Sequence, residues 1–229
     1  NLLQEGFENS KDNNYQGSKW GGIYIKAPNI YFAIMEKTKN KLIRLSDAAK
    51  VTRGFTTGAD EFFYIPKSNP YNIEKEFLKP VIKSPRECKS ILINPDELGL
   101  LLFVCPHEKH EIKGTNALKY IEMGESAKKY IKQGKDKGKH IIGIQNVSSV
   151  QGRKNWYDLG IRNIPDSFVP SGFEETFKVF QNNGVLCNQK LYEIHCDKFA
   201  PQMLIILNSS LFFFFIEVHS RTSLGEGLL

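Results

Sequence analysis

The chain has 229 residues, 41% of them hydrophobic and 24% charged, and its 31 Lys and Arg exceed its 25 Asp and Glu for a net charge of +6. Such a composition excludes a disordered polyelectrolyte or a disulfide-stapled mini-protein, and the length suffices for a proper core. A basic surplus suits a polyanionic partner through counterion release, although it does not require one.

Residues 1–19 are polar and rich in Asn, Lys and Ser, so they read as a linker or frayed terminus, with one domain expected over 20–229. From Trp20 to Met35, aromatic and β-branched residues recur (Ile23, Tyr24, Ile25, Ile30, Tyr31, Phe32, Ile34) around Ala27-Pro28, which predicts extended chain with a turn. Lys41–Lys50 predicts a short strand and a helical turn. A polar loop with Gly54 and Gly58 follows, and Glu61–Ile65 predicts a strand stopped by Pro66. Ser90–Ile93 and Leu100–Val104 predict two strands of a hairpin about Asn94-Pro95-Asp96.

Residues 115–133 carry Leu118, Ile121, Tyr130 and Ile131 on one helical face, and 134–139 form a loop. Phe177–Phe180 and Leu191–Ile194 predict strands joined through Asn182-Asn183-Gly184. After Pro201, helical spacing runs to Val218, with Asn208 and the serines ending one helix and capping the next. Short strands, mixed or antiparallel, with a few helices make the class α+β. The apolar runs 203–207 and 211–216 are interrupted by Asn208–Ser210, and neither approaches the roughly 20 residues a bilayer needs, so they are assigned to core and not to membrane. The N-terminus has no signal-peptide pattern, and both ends read as cuts in a longer protein.

The four cysteines, Cys88, Cys105, Cys187 and Cys196, form no C-x-x-C pair and read as reduced thiols of a reducing compartment. A zinc set from Cys105, His107, His195 and Cys196 has the wrong spacing, so no metal is expected.

Three segments have the residue types of a nucleic-acid contact. In the 53–60 loop, Gly54 and Gly58 allow the backbone to approach a ligand closely and to take positive φ, Thr56 and Thr57 can bond base edges or phosphates, and Arg53 can fork onto guanine. Spacing alone favours a plain turn with a solvated Arg, and no Gly-Lys-Ser/Thr follows to make a P-loop. Lys79, Lys83 and Arg86 stand around two prolines, a stiff basic segment suited either to phosphates or to solvent. The stretch from Gln151 to Tyr157 interleaves Arg153 and Lys154 with Trp156 and Tyr157. The pattern offers either stacking with phosphate contacts or, as favoured for Trp156, burial of the rings. Asn69-Pro70-Tyr71 is similar to the Asn-Pro-Pro-aromatic box of adenine methyltransferases but lacks one proline. No nuclease carboxylate cluster and no glycine-rich strand–turn–helix for S-adenosylmethionine stand out.

Together, Trp20/Tyr24/Ala27-Pro28, Val51/Gly54/Thr57-Gly58/Phe62-Phe63, Phe77–Arg86, Arg153–Leu159, Leu207–Ser210 and Ser220–Gly227 occur in one order. In this the chain resembles the DNA target-recognition region of TaqI-like adenine-N6 DNA methyltransferases and of fused type II restriction–modification enzymes. The resemblance implies a duplex-DNA recognition domain of a bacterial, cytoplasmic restriction–modification or phage-defence enzyme, without catalysis in this segment. Its partners are then double-stranded DNA and the catalytic methyltransferase domain of the same parent chain, which holds S-adenosylmethionine. On this reading Arg53, Thr56 and Thr57 contact the groove. Lys83, Arg86, Arg153 and Lys154 hold phosphates, Tyr157 belongs to the aromatic–basic box, and Arg221 and Thr222 add a contact. The alternatives are half of a type I restriction specificity subunit and, in another class, a basic scaffold domain.

Overall fold

The computed structural model describes residues 10–11, 14–15, 26–39, 41–130, 137–160, 162–173, 177–196, 198, 200–223 and 226–228, with backbone alone at 10–11, 14–15, 221–223 and 226–228. These residues form an α+β fold of six α-helices and several short sheets, as the sequence predicts. The chain divides into two compact units interleaved in sequence. Most of the 1–19 segment lies outside the described residues.

The first unit comprises residues 1–51, 170–179 and 195–229. Its elements are the strand pair β1 (Ser10–Lys11) and β2 (Asn14–Tyr15), helix α1 (Asn29–Lys37) and the turn α2 (Leu45–Ala48). The three-stranded sheet β10 (Gly172–Phe173), β15 (Glu226–Leu228), β14 (Arg221–Ser223) and helices α5 (Ala200–Leu207) and α6 (Ser210–His219) complete it. Extended chain with a turn was expected from Trp20 to Met35; residues 20–25 lie outside the described residues, and 29–35 are helical. Helical periodicity buries Tyr31 among Phe214, Phe215 and His219, and the Tyr31 hydroxyl lies 3.0 Å from His219 Nε2. No strand forms at 41–44, while the predicted helical turn is α2.

The break between the last two helices falls where expected. Asn208 Nδ2 donates to the Leu204 carbonyl at 2.9 Å, and Ser209 Oγ accepts from Phe212 N–H at 3.2 Å as the α6 N-cap. These helices are less buried than a core assignment implies: only Leu207 and Val218 are buried, and Ile205 is 73% exposed. Among the described residues no single helix is long and apolar enough to cross a membrane, and α5 and α6 are bent by 65° at their break.

The second unit comprises residues 52–169 and 180–194 and holds two four-stranded sheets. One has the order β12 (Leu186–Cys187), β5 (Leu78–Ile82), β6 (Leu100–Phe103), β4 (Tyr64–Pro66). Here β5 and β4 both run antiparallel to β6, and β12 runs parallel to β5. The other has the order β11 (Phe180–Gln181), β9 (Ser167–Pro170), β13 (Leu191–His195), β3 (Lys50–Arg53), so the two strands predicted on either side of Asn182–Gly184 share a sheet with β9 between them. The predicted 90–93 strand is not formed. Its Leu92 makes one isolated bridge to Gln181, and β6 takes its partners from β4 and β5. Glu61–Phe63 lies mostly in the helical turn α3 (Asp60–Phe63) rather than in a strand, which puts Phe62 and Phe63 together into the core, ring centroids 5.1 Å apart.

Helix α4 (Asn116–Ser126) is shorter than the predicted 115–133. Thr115 Oγ1 caps it from Leu118 N–H at 3.1 Å, and Glu74 accepts from Asn116 and Ala117 N–H at 2.7 and 3.1 Å. After it, β7 (Lys128–Tyr130) pairs with β8 (His140–Ile142), leaving Tyr130 half exposed; Ile131 and residues 134–136 of the predicted loop lie outside the described residues. The main core gathers Phe62, Phe63, Phe103, Tyr120, Trp156 and Tyr157. Trp156 donates to Glu125 Oε1 at 2.9 Å and packs 4.6 Å from Phe62, so the burial expected of this ring is what the fold shows.

Candidate functional site

The segment from Arg53 to Asp60 leaves the end of β3, crosses the 187–191 segment and enters α3. It is held from beneath by backbone bonds: Gly54 N–H donates to Leu191 O at 2.9 Å, Phe55 N–H to Cys187 O at 3.1 Å, and Gln189 N–H to Phe55 O at 2.9 Å. Phe55 and Asn188 form a parallel bridge. This approach requires glycine at 54, where a Cβ would lie 2.3 Å from the Asn188 carbonyl oxygen. Gly58 has φ +73°, and its carbonyl accepts from Ser149 Oγ at 2.5 Å. Gly58 thus has the expected positive φ, while the close approach at Gly54 is to the Asn188 backbone and not to a ligand.

Below the loop lies a buried polar cluster. Glu193, 2% exposed, accepts from Thr52 Oγ1 at 3.1 Å and from Arg162 at 3.3 Å, and the Cys187 thiol points to it at 3.7 Å. Burial pushes the Cys187 thiol pKa up and keeps it protonated. The Arg162 guanidinium stacks 5.6 Å over Phe55. A buried carboxylate is tolerable only with such donors around it, and here they join the root of the loop to β13.

Arg53 is exposed at the mouth of the loop. Its Nε donates to Gln189 O at 3.0 Å, and its two terminal nitrogens have no partner among the described residues. Thr56 is exposed and donates to Gln189 Oε1 at 2.9 Å. Thr57, in contrast, is fully buried and bonds Asp60 Oδ1, which leaves it no surface for a groove contact in this conformation. Lys83 comes from β5's far end, pairs with Asp60 Oδ2 at 2.9 Å and lies 4.5 Å over the Tyr64 ring. Burial pushes the Tyr64 hydroxyl up to about 12, and Asn188 donates to it at 2.8 Å. Arg86 is exposed with no ion pair among the described residues, on a short turn held by a Ser84–Glu87 capping box.

The other sequence-nominated residues divide by burial. Arg153 turns inward: it donates to Thr57 O at 2.6 Å, to Thr56 O and Trp156 O at 3.4 Å, and lies 5.3 Å over Phe63. It therefore ties the back of the loop to the 151–157 segment, where a phosphate contact was expected. Lys154, 87% exposed, pairs with Glu108 at 2.9 Å. Tyr157 is buried with its hydroxyl donating to His107 O at 3.1 Å, and burial raises its pKa to about 12; the ring cannot stack on a base from there. Arg221 and Thr222 lie in β14, and their side chains lie outside the described residues. Two residues that sequence reading missed stand beside Arg53 and Thr56: Gln189, partly exposed, and Lys190, exposed and close enough to lower the Asp60 pKa. The run Asn188-Gln189-Lys190 is polar and follows a buried strand, which was the available hint.

Asn69 occupies the turn of the incomplete box with φ +46°, and its side chain bonds Ile73 in both directions, Nδ2 to O at 2.8 Å and Oδ1 from N–H at 3.0 Å. Among the described residues no three His, Cys, Asp or Glu side chains gather as a metal set.

The model of the family described as "Type II methyltransferase M.Eco57I, C-terminal domain" matches residues 17–229. The type II methyltransferase M.AccI of Acinetobacter calcoaceticus is 31% identical over 116 residues, which cover 47% of this chain and 20% of that protein. The type IIG restriction endonuclease BpuSI has a similar fold, with a TM-score of 0.56 over 100% of this chain and 29% of that one at 14% identity. The matched regions thus span less than a third of the length of either relative.

Proposed function

We propose, from the premise that this chain belongs to the family of C-terminal domains of type II methyltransferases represented by M.Eco57I, that it recognises duplex DNA sequence for a longer restriction–modification enzyme. The observation that carries this reading is the state of Arg53. Its Nε is fixed on the Gln189 carbonyl while both terminal nitrogens remain unengaged among the described residues. A guanidinium whose plane is fixed from behind presents the two-pronged donor edge that pairs with guanine O6 and N7. Lys83 and Lys190, both close to Asp60 of the same loop, and the exposed Arg86 supply cations for the backbone. Lys83 must exchange Asp60 for a phosphate to do so, whereas Arg86 has no ion pair among the described residues to give up.

The parent enzyme, on this reading, transfers a methyl group to adenine N6 in a bacterial cytoplasm, and its catalytic segment holds S-adenosylmethionine. Within this chain Asn69, the nearest match to the box that holds the target amine, already uses both ends of its amide on Ile73. Recognition by this domain supplies part of the energy that unstacks the target base for the other domain.

The test is binding of the chain to a random duplex library, then to the enriched duplex and a scrambled one, by fluorescence anisotropy at two salt concentrations. Arg53→Ala is expected to weaken the enriched duplex tenfold or more and the scrambled duplex about twofold or less, the pattern of a base contact worth about 1–3 kcal/mol. Arg86→Ala should weaken both equally and lower the salt slope by about one. Equal losses on both duplexes for Arg53→Ala would remove its base-reading role, and salt-independent binding would favour a scaffold.

A further inference from the structure

Sequence reading places the groove contacts on a single loop, but the structure joins that loop to a second one 134 residues further along. Asn188, at the crossing point, is buried. Its Nδ2 bonds Tyr64, its Oδ1 accepts from Lys190 N–H at 3.0 Å, and its carbonyl accepts from Leu191 N–H at 3.0 Å. This Asx-type turn carries Gln189 and Lys190 to the surface. The clash awaiting any Cβ at Gly54 and the three backbone bonds between the segments bind the two loops into one rigid surface.

Gln189 is the junction of that surface. Its backbone carbonyl orients Arg53, its side-chain Oε1 accepts from Thr56, and its Nε2 amide has no partner among the described residues. A carboxamide with a held acceptor and an unused NH2 can complement a base edge that offers an acceptor beside a donor, as adenine N7 and N6 do. Thr56 fixes the rotation of the amide, so the ordering entropy of a flexible Gln is largely removed before binding. We infer that Gln189 is a specificity-determining residue, reading a base pair next to the one read by Arg53, with Lys190 on the adjacent phosphate. The inference rests on the proposal that the Arg53 loop faces DNA.

The experiment is selection from a random duplex library with the wild-type chain, Gln189→Ala and Gln189→Glu, followed by sequencing of the bound pools. Gln189→Glu keeps an acceptor for Thr56 but cannot donate to a base, so it guards against a merely structural loss. Both variants are expected to enrich the wild-type motif with the preference at one base pair lost, a tenfold or greater drop in discrimination there. Binding to unselected DNA should stay within about twofold of wild type. Unchanged preferences in either variant overturn the inference while leaving the Arg53 reading intact. A wild-type pool that binds but shows no motif overturns both readings. A uniform loss across all positions in both variants assigns Gln189 to loop support alone.

Discussion

Gly54→Ala places one methyl group where the two loops cross. The new Cβ would lie 2.3 Å from the Asn188 carbonyl oxygen, 2.6 Å from its carbon and 2.7 Å from the Cys187 carbonyl oxygen, where contacts under 3.0 Å are essentially never seen. All three atoms are backbone, so no rotamer change relieves them. The loops must part by about 0.7 Å to move the shortest contact from 2.3 to 3.0 Å. That shift stretches the Gly54–Leu191 and Phe55–Cys187 bonds, now 2.9 and 3.1 Å. Overpacking costs about 1–3 kcal/mol, one lost backbone bond adds about 1 kcal/mol, and the stiffer unfolded chain of alanine offsets about 0.4–1 kcal/mol. The net destabilisation is about 1–3.6 kcal/mol, or roughly 2–14 °C in Tm. Thermal unfolding followed by circular dichroism measures it, with Gly99→Ala as the control because a Cβ there meets nothing within 4 Å. If the two variants melt within about 1 °C of each other, the close crossing does not exist and the two-loop surface fails with it.

Two further outcomes follow from side chains around the loop. Arg153→Met removes the donors to the Thr57, Thr56 and Trp156 carbonyls while keeping much of the stem. It should lower stability by about 1–3 kcal/mol in thermal unfolding and leave the salt slope of DNA binding unchanged; a slope reduced by about one at unchanged Tm would show a phosphate contact instead. For Asp60, burial raises the carboxyl pKa, but the Thr57 hydroxyl, Lys83 and Lys190 outweigh it and hold the group below its ordinary value. A depressed folded pKa contributes stability above the unfolded value of about 3.9 that is lost as pH falls through the folded value. Asp60→Asn should therefore show a flatter dependence of Tm on pH below about 4 than wild type, and parallel curves across that window would contradict the ion pair.

The features legible in the sequence are those set by neighbours along the chain. The stop at Asn208 and the Ser209 cap need only residues within four positions, and the structure has both. The same holds for the α+β alternation of short elements, whereas the glycine at 54 answers to the distant Asn188 backbone. Short apolar runs are where local reading fails, because a run such as Glu61–Phe63 serves a helical turn as well as a strand. Here the depth of the core around Phe103, Tyr120 and Trp156 decided for the turn. Residues 30–35 went the same way, since burying Tyr31 against α6 requires a helical face.

The candidate site divides along the same line. Residue type nominated Arg53, Thr56, Lys83 and Arg86, and all four side chains are at least partly exposed. It could not show that Arg153 turns inward, since the carbonyls it serves are 96 and 97 residues away. Nor could it show that Thr57 and Tyr157 are buried, or that Gln189 stands between Arg53 and Thr56. Sequence alone determined a basic α+β chain with a glycine-shaped loop, because charge, turn chemistry and capping act over a few residues. Only the tertiary structure decided which cations face outward and which second loop completes the surface, because those outcomes depend on which distant backbone groups need a partner once the core has closed.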